Sequence, residues 1–265
     1  MYRSDVLKLL TKYQGELANV EKETFLSLAQ GWGTIEKALA GYLTELSKLE
    51  VKTSNQLYKD SIYKAFLSAS KQNIAIYSQV AAGSVSNAQL KAFQLSQAFS
   101  SDFLQASFVK LPVNKINNFI GLSREGTPLY NLLMQSYPET TVRLTDTLLK
   151  GIALGKNPRI IAKELKLDMN GNLDRALRIA RTEMNNVFRD TNLLEFQKSG
   201  VVKEWEWIAE DNACDICAEN NGKHFSLDTS FDTHPNCRCA PLELPPEKWT
   251  QKQGEWDTVK GNGGS

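Results

Sequence analysis

All four cysteines and both histidines of this 265-residue chain fall between Cys214 and Cys239. The spacing is Cys-x2-Cys, sixteen residues, then His-x2-Cys-x-Cys. No other feature constrains the fold as strongly. A loop-rich segment of about 45 residues cannot hold a fold by apolar burial alone. A zinc ion held by thiolates can, since its apparent binding energy in small zinc peptides is roughly 10–16 kcal/mol. Two paired sets of soft ligands suit tetrahedral zinc. Cys214 and Cys217 would grip one side, and His234 and Cys237 the other. Cys239 is a fifth candidate, and either Cys237 or Cys239 could complete the set. His224 lies mid-loop and is left out. A disulfide between the two cysteine pairs is the competing reading. Five soft candidates with no spare base argue for a closed, structural site without catalysis. An HNH-type nuclease would need more histidines, and a Cys239–His224 nucleophile pair matches no cysteine-enzyme motif.

The rest of the chain reads as mainly α. Residues 3–30 carry Val6, Leu9, Leu10, Tyr13, Leu17, Val20, Phe25 and Leu28 at helical spacing. Gly31-Trp32-Gly33 is expected to break this helix, and Thr34 to cap a second one. Thr53-Ser54-Asn55 is expected to open a third, which ends at Gly83-Ser84, and Ser86-Asn87 a fourth. Residues 1–110 are thus an elongated N-terminal helical region, with aromatics that pack internally. Pro112, Gly121, Gly126, Pro128 and Pro138 then punctuate the chain and mark a boundary.

Residues 111–200 are expected to form a central helical domain. Two helices meet at Gly155, with Asn157 and Pro158 opening the second. A turn is expected at Asp168–Asn172. The most regular helix runs from Leu173 to Ser199, and Gly200 caps its C-terminus. Its Arg175, Arg178, Arg181 and Arg189 read as a solvated face. Residues 201–244 are a small β/loop module stapled by the Cys/His site. Val201–Ile208 alternates as a strand, and Ala240–Leu244 as a return strand. Residues 245–265 are a polar, Gly-rich tail.

Charge excludes a strong nucleic-acid field, since basic and acidic residues number 31 and 30. Residues 110–199 carry a net +5 and residues 200–265 a net −6. The start, MYRSDVLKLL, has no apolar run of signal-peptide length, and no window spans a membrane. Synthesis in a reducing cytoplasm is expected, where clustered thiols favour metal over disulfide.

One ordered combination stands out. It comprises Arg178-Ile-Ala-Arg181-Thr182-Glu183, about twenty further helical residues, Trp205 or Trp207, Cys214-x2-Cys217, Gly222, and His234-Pro235-Asn236-Cys237-Arg238-Cys239. Over about residues 140–244 it resembles the phage Mu F-like family of minor head, or head morphogenesis, proteins. The resemblance implies a non-enzymatic virion component associated with the portal protein inside the head, serving assembly, DNA packaging or genome ejection. Portal protein, other head proteins and packaged double-stranded DNA are the implied partners. Alternatives are a DNA-binding zinc module and a metal-dependent hydrolase. The family pattern further suggests that Arg181 and Glu183 dock the long helix on the module, with Arg238 as a partner for Glu183.

Overall fold

The computed structural model describes residues 3–46, 48–49, 54–104, 119–135, 137–154 and 156–244. The expected cap at Thr53, the boundary around Pro112, the junction at Gly155 and the tail 245–265 lie outside them. Among the described residues the protein is mainly α-helical with one small sheet. Their helices are α1 (Arg3–Leu46), α2 (Ser54–Lys59), α3 (Ser61–Leu104), α4 (Leu129–Met134), α5 (Tyr137–Ala153), α6 (Pro158–Ser199) and α7 (Asp215–Asn220). The strands are β1 (Glu204–Ile208), β2 (His224–Ser226) and β3 (Ala240–Glu243). They form an antiparallel sheet in the order β2-β1-β3.

Three expected breaks are absent. Helix α1 runs through Gly31-Trp32-Gly33, α3 through Gly83-Ser84, and α6 through Asp168–Asn172. A mid-helix glycine costs about 1 kcal/mol relative to alanine, which packing readily offsets. Trp32 is buried, meets Tyr77 edge-on at 5.1 Å and donates its indole N–H to Asn170 Oδ1 at 3.0 Å. A Cβ on Gly31 would touch the Tyr77 ring at 3.4 Å, and one on Gly171 would meet Arg143 Nη2 at 3.1 Å. Gly171 thus serves close side-chain approach rather than a turn, while a side chain on Gly31 would meet Tyr77 only at ordinary contact distance. Gly200 does end its helix, with φ of 66°.

The residues form two compact units assembled from separate stretches. One comprises Met1–Glu21, Ala88–Asn117 and Arg181–Ser265, and the other Lys22–Asn87 and Asn118–Ala180. The second unit has a helical core. Trp32, Leu39 and Leu43 of α1, Tyr63, Phe66 and Tyr77 of α3, Leu144 and Leu148 of α5, and Ile161, Leu165 and Met169 of α6 pack together. These positions recur at three- and four-residue steps, as one-sided helix burial requires.

The first unit holds the sheet. Its helical part is filled by aromatics, with Phe99 against Tyr13, Phe103, Phe188 and Phe196. On one face of the sheet, Trp205 stacks on Phe225 at 4.5 Å and Trp207 on Phe231 at 4.1 Å. Arg3 pairs with buried Glu206 through two hydrogen bonds, which ties the start of α1 to β1.

Glu243 on β3 is fully buried, and neither carboxylate oxygen has a hydrogen-bond partner among the described residues. Burial pushes its pKa well above the ordinary carboxylate value of 4.5. The native state therefore holds a proton that the unfolded chain releases above about 4.5. The associated stability is full below that pH and is lost as pH rises through the raised native value. Glu243→Gln is expected to raise the urea midpoint at pH 8 more than at pH 5. Equal midpoint shifts at both pH values would refute a buried neutral carboxyl.

Candidate metal centre

The ligand side chains are presented by two short turns. Cys214 precedes α7 and Cys217 lies in its first turn, where the Ala218 N–H donates to the Cys214 carbonyl at 2.8 Å. The second turn is His234-Pro235-Asn236-Cys237. The Cys237 N–H donates to the His234 carbonyl at 3.3 Å, and Asn236 has φ of 69°. Asparagine tolerates this left-handed region better than most residues.

These turns bring His234 Nε2 to 3.2 Å from Cys214 Sγ and 3.3 Å from Cys217 Sγ. Cys217 Sγ lies 3.9 Å from Cys237 Sγ. Zinc–ligand lengths of about 2.3 Å to sulfur and 2.0–2.1 Å to nitrogen give tetrahedral edges of roughly 3.8 Å for S···S and 3.5 Å for S···N. The observed separations are close to those edges. His234 Nδ1 is 2.8 Å from the Pro235 carbonyl oxygen, which can only accept, so Nδ1 carries the proton. The Nε2 lone pair is then directed at the thiols, the arrangement a metal-ligating histidine needs.

The ligand atoms fall into two groups, each with all atoms within 4.8 Å. One is Cys214, Cys217 and His234, and the other Cys217, Cys237 and Cys239. All five expected candidates thus converge, with Cys217 common to both groups. The donor set fits a soft divalent cation. His224 stands apart on β2, with Nδ1 3.3 Å from Glu204 Oε1.

The thiols perturb one another. A hydrogen bond from Cys239 holds the Cys237 thiol well below its usual range, against the effect of burial and with help from the Arg189 charge. The same bond, with burial, pushes Cys239 up. Burial and then the Cys237 charge push Cys217 up to about 12. Three buried sulfurs this close cannot all ionise without a cation among them.

Helix α6 supplies the floor. Arg189 is 3% exposed and donates Nε–H to the Cys239 carbonyl at 2.8 Å and Nη2–H to the Cys237 carbonyl at 2.7 Å. Its guanidinium carbon lies 5.1 Å from the Phe231 ring centre. The Asn236 N–H donates to Thr182 Oγ1 at 3.1 Å, and Arg181 Nη1–H to Asn236 Oδ1 at 3.2 Å. Arg181 also donates Nε–H to Glu21 Oε1 of α1 at 2.9 Å. Arg238 donates to that same oxygen at 2.6 Å, and its Nη1 lies 3.6 Å from Glu210.

The expected Glu183–Arg238 pair is therefore corrected. Arg238 turns to Glu21 and Glu210, while Glu183 is buried on α6. Arg181 and Glu183 are two residues apart on a helix and so point in different directions. The solvated-face expectation also fails for Arg189, which is buried. The α6 side chains bonded to the module include Arg181, Thr182 and Arg189. Arg181 and Arg189 are two helical turns apart at four-residue steps, a spacing visible in the sequence that differs from the three-residue stripe of Arg175, Arg178 and Arg181.

A short sheet, two turns bearing the Cys and His side chains and a long helix beneath them define a Cys/His module that could hold a metal ion. Residues 143–242 match the family described as phage Mu protein F like protein. Over this region the chain resembles the phage Mu F-like head morphogenesis proteins. No curated protein and no solved structure matches the chain. No described helix is long and apolar enough to cross a membrane.

Proposed function

We propose that this protein is a minor head protein of a tailed phage, bound to the portal protein inside the head. There it serves head assembly, DNA packaging or genome ejection, alongside other head proteins. The observation that carries this reading is the family match over residues 143–242, which takes in α6 and the whole Cys/His module. In this reading the module is a rigid structural platform rather than an active site. Cys214, Cys217 and His234, with Cys237 or Cys239, hold one zinc ion. The metal would supply cross-linking strength, closing the two turns over α6. Arg181 anchors the platform to α6 and α1, and Arg238 anchors it to α1. Glu183 supports the same helix from its buried position. The net positive stretch 110–199 offers contact with packaged double-stranded DNA as a secondary role.

The test is co-purification of the full chain with the portal protein, with zinc measured on the same sample. The expected result is a stable complex carrying one zinc per chain. A chain that binds zinc but never portal would overturn the partner. A metal-free, oxidised chain that binds portal would overturn the zinc. Duplex DNA binding that falls steeply with salt, without portal binding, would favour a DNA-binding module instead.

A further inference from the structure

Arg189 lies outside the cysteine segment, yet it donates two hydrogen bonds to the backbone of two candidate ligands. A guanidinium is planar, with donors fixed relative to one another. One fork holding the carbonyls of Cys237 and Cys239 therefore fixes the relative orientation of the two peptide planes that follow these residues. With them it restrains the backbone from which both thiols leave the chain. Both thiols meet Cys217 in one group within 4.8 Å. The charge also matters. Three thiolates and a neutral imidazole around a divalent cation leave one net negative charge. A buried cation beside it offsets that charge where water cannot.

We infer that Arg189 is the positioning residue of the metal centre, reaching from α6 to set the ligand geometry and so linking metal occupancy to seating of the module on the helix. This inference rests on the metal reading above. Linkage makes the effect reciprocal: a seated module binds metal more tightly, and bound metal seats the module more firmly. Partners that organise ligands from outside the coordination shell are typically worth about 10–100-fold in metal affinity.

The experiment uses the full chain and its Arg189→Met, Arg189→Lys and Arg175→Met variants. Arg175 is an α6 arginine that instead donates to the Leu132 carbonyl at 3.2 Å, and it serves as the control. Zinc affinity is measured by competition with a chromogenic chelator, and cobalt(II) is substituted for its visible spectrum. Arg189→Met is expected to lose about 10–100-fold in zinc affinity and to shift the tetrahedral cobalt bands. Arg189→Lys keeps the charge but not the fork. It should fold, recover part of the affinity and keep an altered spectrum. Arg175→Met should match wild type. If Arg189→Met fails to fold, Arg189→Lys alone decides between the outcomes. Wild-type affinity and spectrum in either Arg189 variant would overturn the positioning role while leaving the metal reading intact. A wild-type chain that takes up neither metal would overturn both.

Discussion

Replacing Cys217 with serine is expected to abolish zinc uptake and unfold the 201–244 module. Cys217 belongs to both ligand groups and is 2% exposed, so no neighbouring sulfur can take its place without moving the turn that carries it. The metal's apparent contribution of roughly 10–16 kcal/mol is comparable with the whole stability of an ordinary domain, about 5–15 kcal/mol. Trp205 and Trp207 report the event, because their stacking on Phe225 and Phe231 requires the sheet to be assembled. Tryptophan fluorescence should move to the red in Cys217→Ser and in wild type treated with chelator, and zinc should restore only the wild type. Cys237→Ser and Cys239→Ser then identify the fourth ligand by which one loses metal. A Cys217→Ser protein that retains one zinc per chain would sink the assignment.

The second large effect is expected at Glu21. One oxygen of this carboxylate receives both Arg181 and Arg238, and its side chain is 9% exposed. Removing one partner of a fully buried ion pair costs about 3–5 kcal/mol. Arg238 is 42% exposed and recovers hydration, so Glu21→Ala should cost about 2 kcal/mol, below that range. The loss is read as a lower urea midpoint at low salt. Glu21→Gln, which can accept hydrogen bonds but lacks the charge, should fall between. Unchanged midpoints in both variants would mean that the pair contributes nothing to holding α1 against the module.

The Cys/His cluster was legible because its residue types are rare here and their spacing is short. Local chemistry within twenty-six residues needs no knowledge of the remote chain. Helix existence was legible from apolar periodicity, and the strands from alternation. Helix continuity was not. Gly31 and Gly171 read as breaks because local preference is all a single sequence displays, whereas each lies within a continuous helix, beside Tyr77 and Arg143 respectively. The supports of the metal centre were hidden for a related reason. Glu21 lies 217 residues from Arg238, and nothing near Glu21 distinguishes it from a solvated glutamate. Arg189 was concealed by its resemblance to neighbouring arginines, and only the choice between three- and four-residue spacing separates it from them.

The bond between Arg3 and Glu206 spans 203 residues. At a synthesis rate of about 5–20 residues per second, α1 leaves the ribosome on the order of ten to forty seconds before β1 exists. Tyr13 and Leu17, which the finished unit buries, must wait through that interval. Assembly of this unit is thus a late event that follows release of most of the chain, and its rate is governed by the closing of a very large loop. Nascent chains halted before residue 204 should consequently expose α1 to proteases and chaperones, whereas chains released in full should not.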